Sequence, residues 1–168
     1  MTWHAGVVGS PIAHSLSPVL HRAAYRALGL EDWAFHRDQV PAGGLAAHVA
    51  GLSRDWVGVA VTMPLKEEAL ALGVQCGEVG EEARLVGGAN TLLRRAGGWR
   101  AENTDVHGLE RVLREAQNAS GETAAVVGSG ATARSALLAL SRCGVREVRL
   151  IVRETVRPGA VELAARLG

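Results

Sequence analysis

Lysine is almost missing from this chain. Eighteen residues are basic, and Lys66 is the one lysine among them. Cysteine is scarce as well. Cys76 and Cys143 fit no metal-binding or redox spacing, so free thiols in a reducing compartment are expected. No apolar run approaches the roughly 18 residues of a membrane span, and no membrane partner is expected. The N-terminus does not show the basic region, apolar stretch and cleavage site of a signal peptide, so a cytoplasmic protein is expected. Neither sign of charge is in excess. The formal net charge is +1, which removes the electrostatic reason to expect nucleic acid as a partner. The six histidines show no clustered ligand spacing, and no metal site is expected.

What is present is the composition of an ordinary folded protein: 168 residues, 48% hydrophobic and 21% charged. A chain of that length buries roughly 68–70% of its unfolded surface, enough for a real core. Against that background the scarcity of lysine has a chemical reading. Arginine can stand wherever only a positive charge is wanted. It serves poorly where a proton must leave, because guanidinium stays charged while an ammonium can be tuned. Lys66 is therefore a candidate proton-transfer group. The plain alternative is a chance survivor on a solvated face.

Strand and helix signals alternate along the chain, which argues for two α/β units with mainly parallel sheets. Residues 5–9 form a short apolar run ending in glycine, a candidate strand. Ser17 then reads as an N-cap with Pro18 at the first helical position. Val19, Leu20, Ala23, Ala24, Ala27 and Leu28 follow at helical spacing, up to Gly29. A weaker strand is expected over 33–40, a helix over 45–52 and a buried strand over 57–63. A helix beginning at Pro64 carries Lys66 in its first turn and runs to Leu72. Two short strands, 90–93 and 98–101, flank an Ala96-Gly97 turn. An amphipathic helix over 106–116 leads through a polar turn, 117–122, to a second unit. That unit reads as strand 124–127, helix 131–140, strand 148–152 and a further helix from Val161.

Gly128-Ser129-Gly130-Ala131-Thr132-Ala133 is a G-x-G-x-x-A run between a predicted strand and a predicted helix. That context is the one a dinucleotide-binding fingerprint requires. The first glycine permits the tight turn, the second lets backbone approach a pyrophosphate, and Ala133 allows close helix–sheet packing. The helix N-terminus then faces the phosphates. A tight βα turn can also need the same glycines for packing alone. After the second strand come Arg153, Glu154 and Arg157. Arg153 can pair with a 2′-phosphate, which favours NADP. Glu154 as a displaced NAD-type carboxylate, or as a solvated charge, is the alternative.

Four further motifs occur in order: Gly9-Ser10-Pro11-Ile12-Ala13-His14-Ser15-Leu16-Ser17-Pro18, Val61-Thr62-Met63-Pro64-Leu65-Lys66, Gly88-Ala89-Asn90-Thr91 and Asn103-Thr104-Asp105. Together with the glycine turn they closely resemble the shikimate dehydrogenase family, over essentially the whole chain. The resemblance implies an α/β protein with an N-terminal substrate-binding catalytic domain over 1–105. A partial Rossmann-type NADP-binding domain over 106–168 follows, with its linking helix. It implies reversible, NADP-dependent reduction of 3-dehydroshikimate to shikimate, a step of chorismate and aromatic amino-acid biosynthesis, by a monomer or homodimer.

Residue by residue, the resemblance makes Lys66 and Asp105 the catalytic pair. Ser15 and Ser17 hold the substrate carboxylate, and Thr62, Asn90 and Asp105 bind ring hydroxyls. Gly128, Ser129, Gly130, Ala131, Thr132, Arg153 and Arg157 bind the cofactor. The residue chemistry agrees. Two hydroxyls beside the free amides of a helix start make a carboxylate site, and an ammonium next to a carboxylate can hold and pass a hydroxyl proton. Ser17 as a simple N-cap is the competing reading, and Asn103 reads as a turn residue rather than a ligand.

The chain departs from the family pattern in places. Ala60 stands where Asn is usual, Leu65 where a polar residue is common, and Val152 and Glu154 where the NADP motif has Asn and Thr. Family members also continue well past the point matching Gly168, so a fragment is expected. A quinate/shikimate dehydrogenase and a catalytically silent substrate-binding module are the other readings. Ser15 and Ser17 lean toward shikimate, because quinate carries an extra hydroxyl beside its carboxylate.

Overall fold

The computed structural model describes residues 1–116 and 123–168. The polar turn expected over 117–122 lies outside the described residues. Two compact units are present: Met1–Gly80 with Gly88–Glu102, and Glu81–Gly87 with Asn103–Gly168.

The first unit is built on a five-stranded sheet of order β2-β1-β3-β4-β5. Its strands are β1 (Trp3–Gly9), β2 (Trp33–Gln39), β3 (Trp56–Val61), β4 (Thr91–Arg95) and β5 (Gly98–Glu102). β1 is parallel to both β2 and β3, while β4 and β5 are antiparallel additions to the β3 edge. Helices α1 (Ser17–Ala27), α2 (Leu45–Ala50) and α3 (Lys66–Gln75) complete the unit. Val8, Val59, Leu45, Leu65 and Leu92 are among its fully buried side chains. Burying such a side chain contributes about 1.5–3 kcal/mol, so these apolar strand and helix-start positions fix which face of each element turns inward.

α1 forms where its spacing predicts, but the other way round. Its apolar stripe, Val19, Leu20, Ala23, Ala24, Ala27 and Leu28, is exposed. The face turned toward β2 carries Pro18, His21, Arg22 and Tyr25, positions three and four apart, of which Pro18 alone is buried and His21 and Arg22 remain exposed. β2 is an edge strand with outward carbonyls to satisfy. The Arg22 guanidinium donates to the Phe35 carbonyl at 2.9 and 3.3 Å, and the His21 ring stacks on Phe35 with centroids 4.0 Å apart.

The second unit comprises α4 (Glu81–Val86), α5 (Asp105–Glu115), β6 (Thr123–Val127), α6 (Ala131–Arg142), β7 (Glu147–Ile151) and α7 (Pro158–Leu167). β6 and β7 pair in parallel. α6 is the centre. Leu138 and Ala139 pack with Val86 and Val106 on one side, and Leu137 packs with Ala160, Leu163, Val148 and Leu150 on the other. Thr123, Ala125, Val127, Arg149 and Ile151 alternate with the inward positions and are exposed. α4 has no counterpart among the sequence expectations. The buried Arg134 of α6 holds it by donating to the carbonyls of Val86 and Gly87 at 2.6 and 3.0 Å. Among the described residues no helix is long and apolar enough to cross a membrane.

Near the amino ends of β1 and β3 lies a ring cluster. His4 Nδ1 and His36 Nε2 are 2.8 Å apart, His4 Nε2 lies 3.3 Å from Asp55, and both rings neighbour Trp56. Burial holds the His36 imidazole below its ordinary value of 6.5; His4 and Arg22 push the same way and Asp38 opposes. A histidine lowered on folding binds fewer protons in the folded state. Its contribution is therefore present above the ordinary histidine value and is lost as pH falls through it toward the folded one. Urea midpoints are expected to fall between pH 7.5 and pH 5, and to fall less in His36→Asn. An unchanged pH dependence in that variant would contradict the assignment.

Candidate functional site

Three segments meet where β1 and β3 end and β4 begins. Because β1 and β3 are parallel neighbours and β4 runs back against β3, all three junctions lie at one edge of the sheet. Ligands of open α/β sheets bind outside such carboxyl ends. Four backbone bonds hold the junctions together. The Thr62 amide donates to the Val8 carbonyl at 2.9 Å, Ser10 to Met63 at 2.9 Å, Val61 to Asn90 at 2.7 Å and Ala89 to Lys66 at 2.8 Å. Thr62, Lys66 and Asn90 are thus brought into one framework.

Ser15 and Ser17 lie on the segment after β1. Ile12 anchors that segment in a buried cluster with Val7 and Phe35. Arg37 pins it from β2, donating to the carbonyls of Ala13 at 2.6 Å and Ser15 at 3.4 Å. Ser17 is the first residue of α1 rather than its N-cap, and Leu16 holds the cap position without a side-chain bond. Proline lacks an amide hydrogen, and the first helical amides have no intrahelical partner, so Pro18 fits the second position equally well. The Ser15 hydroxyl meets the helix start instead, accepting the Ser17 amide at 3.4 Å.

Lys66 opens α3, two residues later than the helix start expected at Pro64. The Leu65 amide donates to the Thr62 carbonyl at 3.0 Å, closing a turn over residues 62–65 that holds back the helix start. Leu65 is fully buried, so an apolar residue suits this place. A cation in a first helical turn faces the positive end of the helix dipole, at a cost of roughly 0.3–1 kcal/mol. Glu67 and Glu68 stand in the same turn and offset it. The Glu68 carboxylate also accepts the amides of Gly43 and Leu45 at 2.7 and 3.3 Å, capping α2.

The remaining residues belong to the second unit. Asp105 is the first residue of α5. Its place is fixed by the buried Asn103, whose side-chain oxygen accepts the amides of Asp105 at 3.0 Å and Val106 at 3.3 Å. Asn103 is the turn residue its sequence position suggested, one position before the Thr104 N-cap, and its side-chain amide donates to Ser135 at 3.2 Å. Lys66 and Asp105 therefore stand in different units, each at the first position of its helix.

The glycine run forms the turn between β6 and α6. Gly128 has φ +103°, a conformation that side chains disfavour, and its amide donates to the Ile151 carbonyl at 2.8 Å. Gly130 caps α6 at φ −79° and ψ −170°, which any residue adopts. A Cβ there would meet nothing within 4 Å. Neither backbone conformation nor internal packing calls for glycine at 130. The open space over a helix start fits a phosphate approached by backbone. Ala131 opens the helix, Thr132 is exposed and Ala133 is buried. Ser129 is buried and its hydroxyl accepts the Arg157 amide at 3.1 Å. Arg153, Glu154 and Arg157 are exposed after β7.

Two positions that shape the site were not picked out from the sequence. Arg37 gave no signal, being one charge on a strand edge. Gly9 did, as a glycine ending a strand beside a polar loop, a sign of close backbone approach. A Cβ on Gly9 would come 2.8 Å from the Met63 carbonyl oxygen and closer still to the Thr62 side chain.

Fold and loop cluster together define a two-part α/β protein, one unit built on a five-stranded mixed sheet and the other on a Rossmann-type β-α-β turn. Residues 7–92 match the family described as the shikimate dehydrogenase substrate binding domain. The shikimate dehydrogenase (NADP(+)) of Synechocystis sp. is 39% identical over 150 residues, 88% of this chain and 50% of that protein. The crystal structure of Mycobacterium tuberculosis shikimate dehydrogenase superposes with a TM-score of 0.82 at 46% identity, covering 99% of this chain and 62% of that one. The Thermus thermophilus enzyme, crystallised with NADP(H) and shikimate, gives 0.84 at 33% identity, over 99% and 61%. This chain belongs to the shikimate dehydrogenase family, and it spans about half the length of the curated relatives it matches.

The close approach at Gly9 has a measurable consequence. Gly9→Ala is expected to destabilise the first unit by about 1–3 kcal/mol, the usual cost of overpacking, because one obstructing atom is backbone. Urea unfolding measures it, and a midpoint equal to wild type would contradict the packing described.

Proposed function

We propose that this chain carries the substrate-binding domain and the first part of the nucleotide-binding domain of an NADP-dependent shikimate dehydrogenase, over residues 1–105 and 106–168. The reaction is the reversible reduction of 3-dehydroshikimate to shikimate. The observation that carries this reading is the backbone framework joining Thr62, Lys66 and Asn90 beside the Ser15–Ser17 helix start. The family match over 7–92 and the relative crystallised with NADP(H) and shikimate support it.

In this reading the hydroxyls of Ser15 and Ser17, at the positive end of the α1 dipole, hold the substrate carboxylate; the helix amides themselves are engaged, Ser17 by the Ser15 hydroxyl and Val19 and Leu20 by the Leu16 carbonyl. Thr62, Asn90 and Asp105 bind the ring hydroxyls and set which carbon faces the nicotinamide. NADPH, when bound, supplies the hydride to the carbonyl carbon. The carbonyl oxygen takes the bond's electron pair and a proton from the Lys66 ammonium, and in reverse Lys66 takes that proton back. Asp105 offsets the ammonium's charge. Gly128, Ser129, Gly130, Ala131 and Thr132 take the pyrophosphate, and Arg153 and Arg157 take the 2′-phosphate.

Two experiments test the substrate side. In the protein carrying this chain, Lys66→Arg is expected to lower turnover roughly 10²–10⁴-fold, the usual worth of a positioned acid–base group, with much less effect on shikimate binding. Turnover near wild type would remove Lys66 from the chemistry. Replacing Ser15 and Ser17 together by Ala is expected to raise the KM for shikimate while leaving nucleotide affinity in place. An unaltered KM would reduce the two serines to a structural role.

A further inference from the structure

Resting on the nucleotide reading above, we infer that Ser129 is a positioning residue that sets the preference for a 2′-phosphate, by fixing where the arginine-bearing segment after β7 stands. Two consecutive residues of the glycine turn bond to the two ends of that segment. The Gly128 amide donates to the Ile151 carbonyl at 2.8 Å, and the Ser129 hydroxyl accepts the Arg157 amide at 3.1 Å. Val156 packs against Leu137, Ala160 and Leu163. Pro158 follows Arg157, holding it extended at φ −65° and ψ 142° as the cap of α7. The backbone is therefore anchored to the turn and to the core, while the side chains of Arg153 and Arg157 stay exposed.

This geometry matters because the two phosphate groups of one nucleotide are a fixed distance apart. If the pyrophosphate sits on the turn, the 2′-phosphate reaches the arginines only when the segment holds its distance from the turn. Charge-assisted bonds to phosphate are sensitive to that geometry. Ser129 is 7% exposed, so its hydroxyl acts from behind the site. At the second position of a glycine turn an alanine would satisfy the backbone. The hydroxyl is explained by the Arg157 amide, which lies 28 residues away in sequence.

The test compares affinities of the chain for NADP+ and NAD+ by isothermal titration in wild type, Ser129→Ala, Ser129→Thr and the Arg153→Ala/Arg157→Ala pair. Removing the hydroxyl is expected to cut the NADP+ preference over NAD+ by roughly three- to tenfold, as fits the net worth of one hydrogen bond. Threonine restores the hydroxyl and is expected to restore the preference. Hydrogen exchange at the Arg157 amide is expected to quicken in Ser129→Ala alone among the serine variants. If the arginine pair loses the preference while Ser129→Ala keeps it, or if Ser129→Ala weakens both nucleotides equally, the inference is overturned and the nucleotide reading stands. If the arginine pair keeps the preference, or wild type shows none, the reading itself fails and the inference with it.

Discussion

Everything proposed for the first unit depends on the near-contact of two strand ends. β1 and β3 finish side by side, and the Ser10 amide reaches the Met63 carbonyl across a gap that admits no side chain at Gly9. Adjacent parallel strands sit about 4.8 Å apart, so the segments leaving them would ordinarily diverge. Glycine at 9 and the bonds at Val8, Ser10, Thr62 and Met63 keep them together for one more residue pair. Val61 and Ala89 then tie in the lead-in to β4. Polar residues more than seventy positions apart in sequence come to one sheet edge, the strand ends joined by main-chain bonds and the Ser15–Ser17 segment held by the side chains of Ile12 and Arg37. The main-chain part of the framework does not depend on the side chains of Thr62, Lys66 and Asn90, so their identities can answer to a ligand instead.

The second unit uses a different device. Its two strands are short, and its order comes from α6, which carries seven buried residues. Two consecutive residues of the glycine turn are tied down, Gly128 to β7 and Ser129 to the start of α7. Arg134, one turn into α6, holds the end of α4 through the carbonyls of Val86 and Gly87, immediately before the Gly88-Ala89-Asn90 motif of the first unit. A buried guanidinium making such bonds costs desolvation that its hydrogen bonds must offset. Leaving carbonyls of this kind without a donor costs about 1–3 kcal/mol each, so the arrangement is strongly determined.

Much of this was legible in the sequence, and the reasons differ by element. The parallel strands follow from short apolar runs, and the glycine turn from a run that meets Gly128, whose backbone conformation favours that residue. Asn103 was readable as a turn residue because a carboxamide two and three positions before helical amides is a capping geometry. α1 misled on orientation: its apolar periodicity is real, yet the stripe that packs is the one able to serve an edge carbonyl of β2. Periodicity reports which residues share a face, and it does not say which face is turned to the sheet. Ser17 and Pro64 marked helix starts to within two residues, the limit set by turn chemistry that spacing does not encode. Arg37 and α4 were invisible because each depends on a partner distant in sequence.

The reading of the strand edge as a shikimate site can be probed without turnover. Adding shikimate to the isotopically labelled chain and following its amide resonances reports which backbone groups sense the ligand. The account requires saturable shifts concentrated in residues 10–17, 62–66 and 88–91, and their loss in the double Ser15→Ala/Ser17→Ala variant. Shifts centred on the His4–His36 cluster at the opposite end of the strands, or shifts that persist when both hydroxyls are gone, would contradict it.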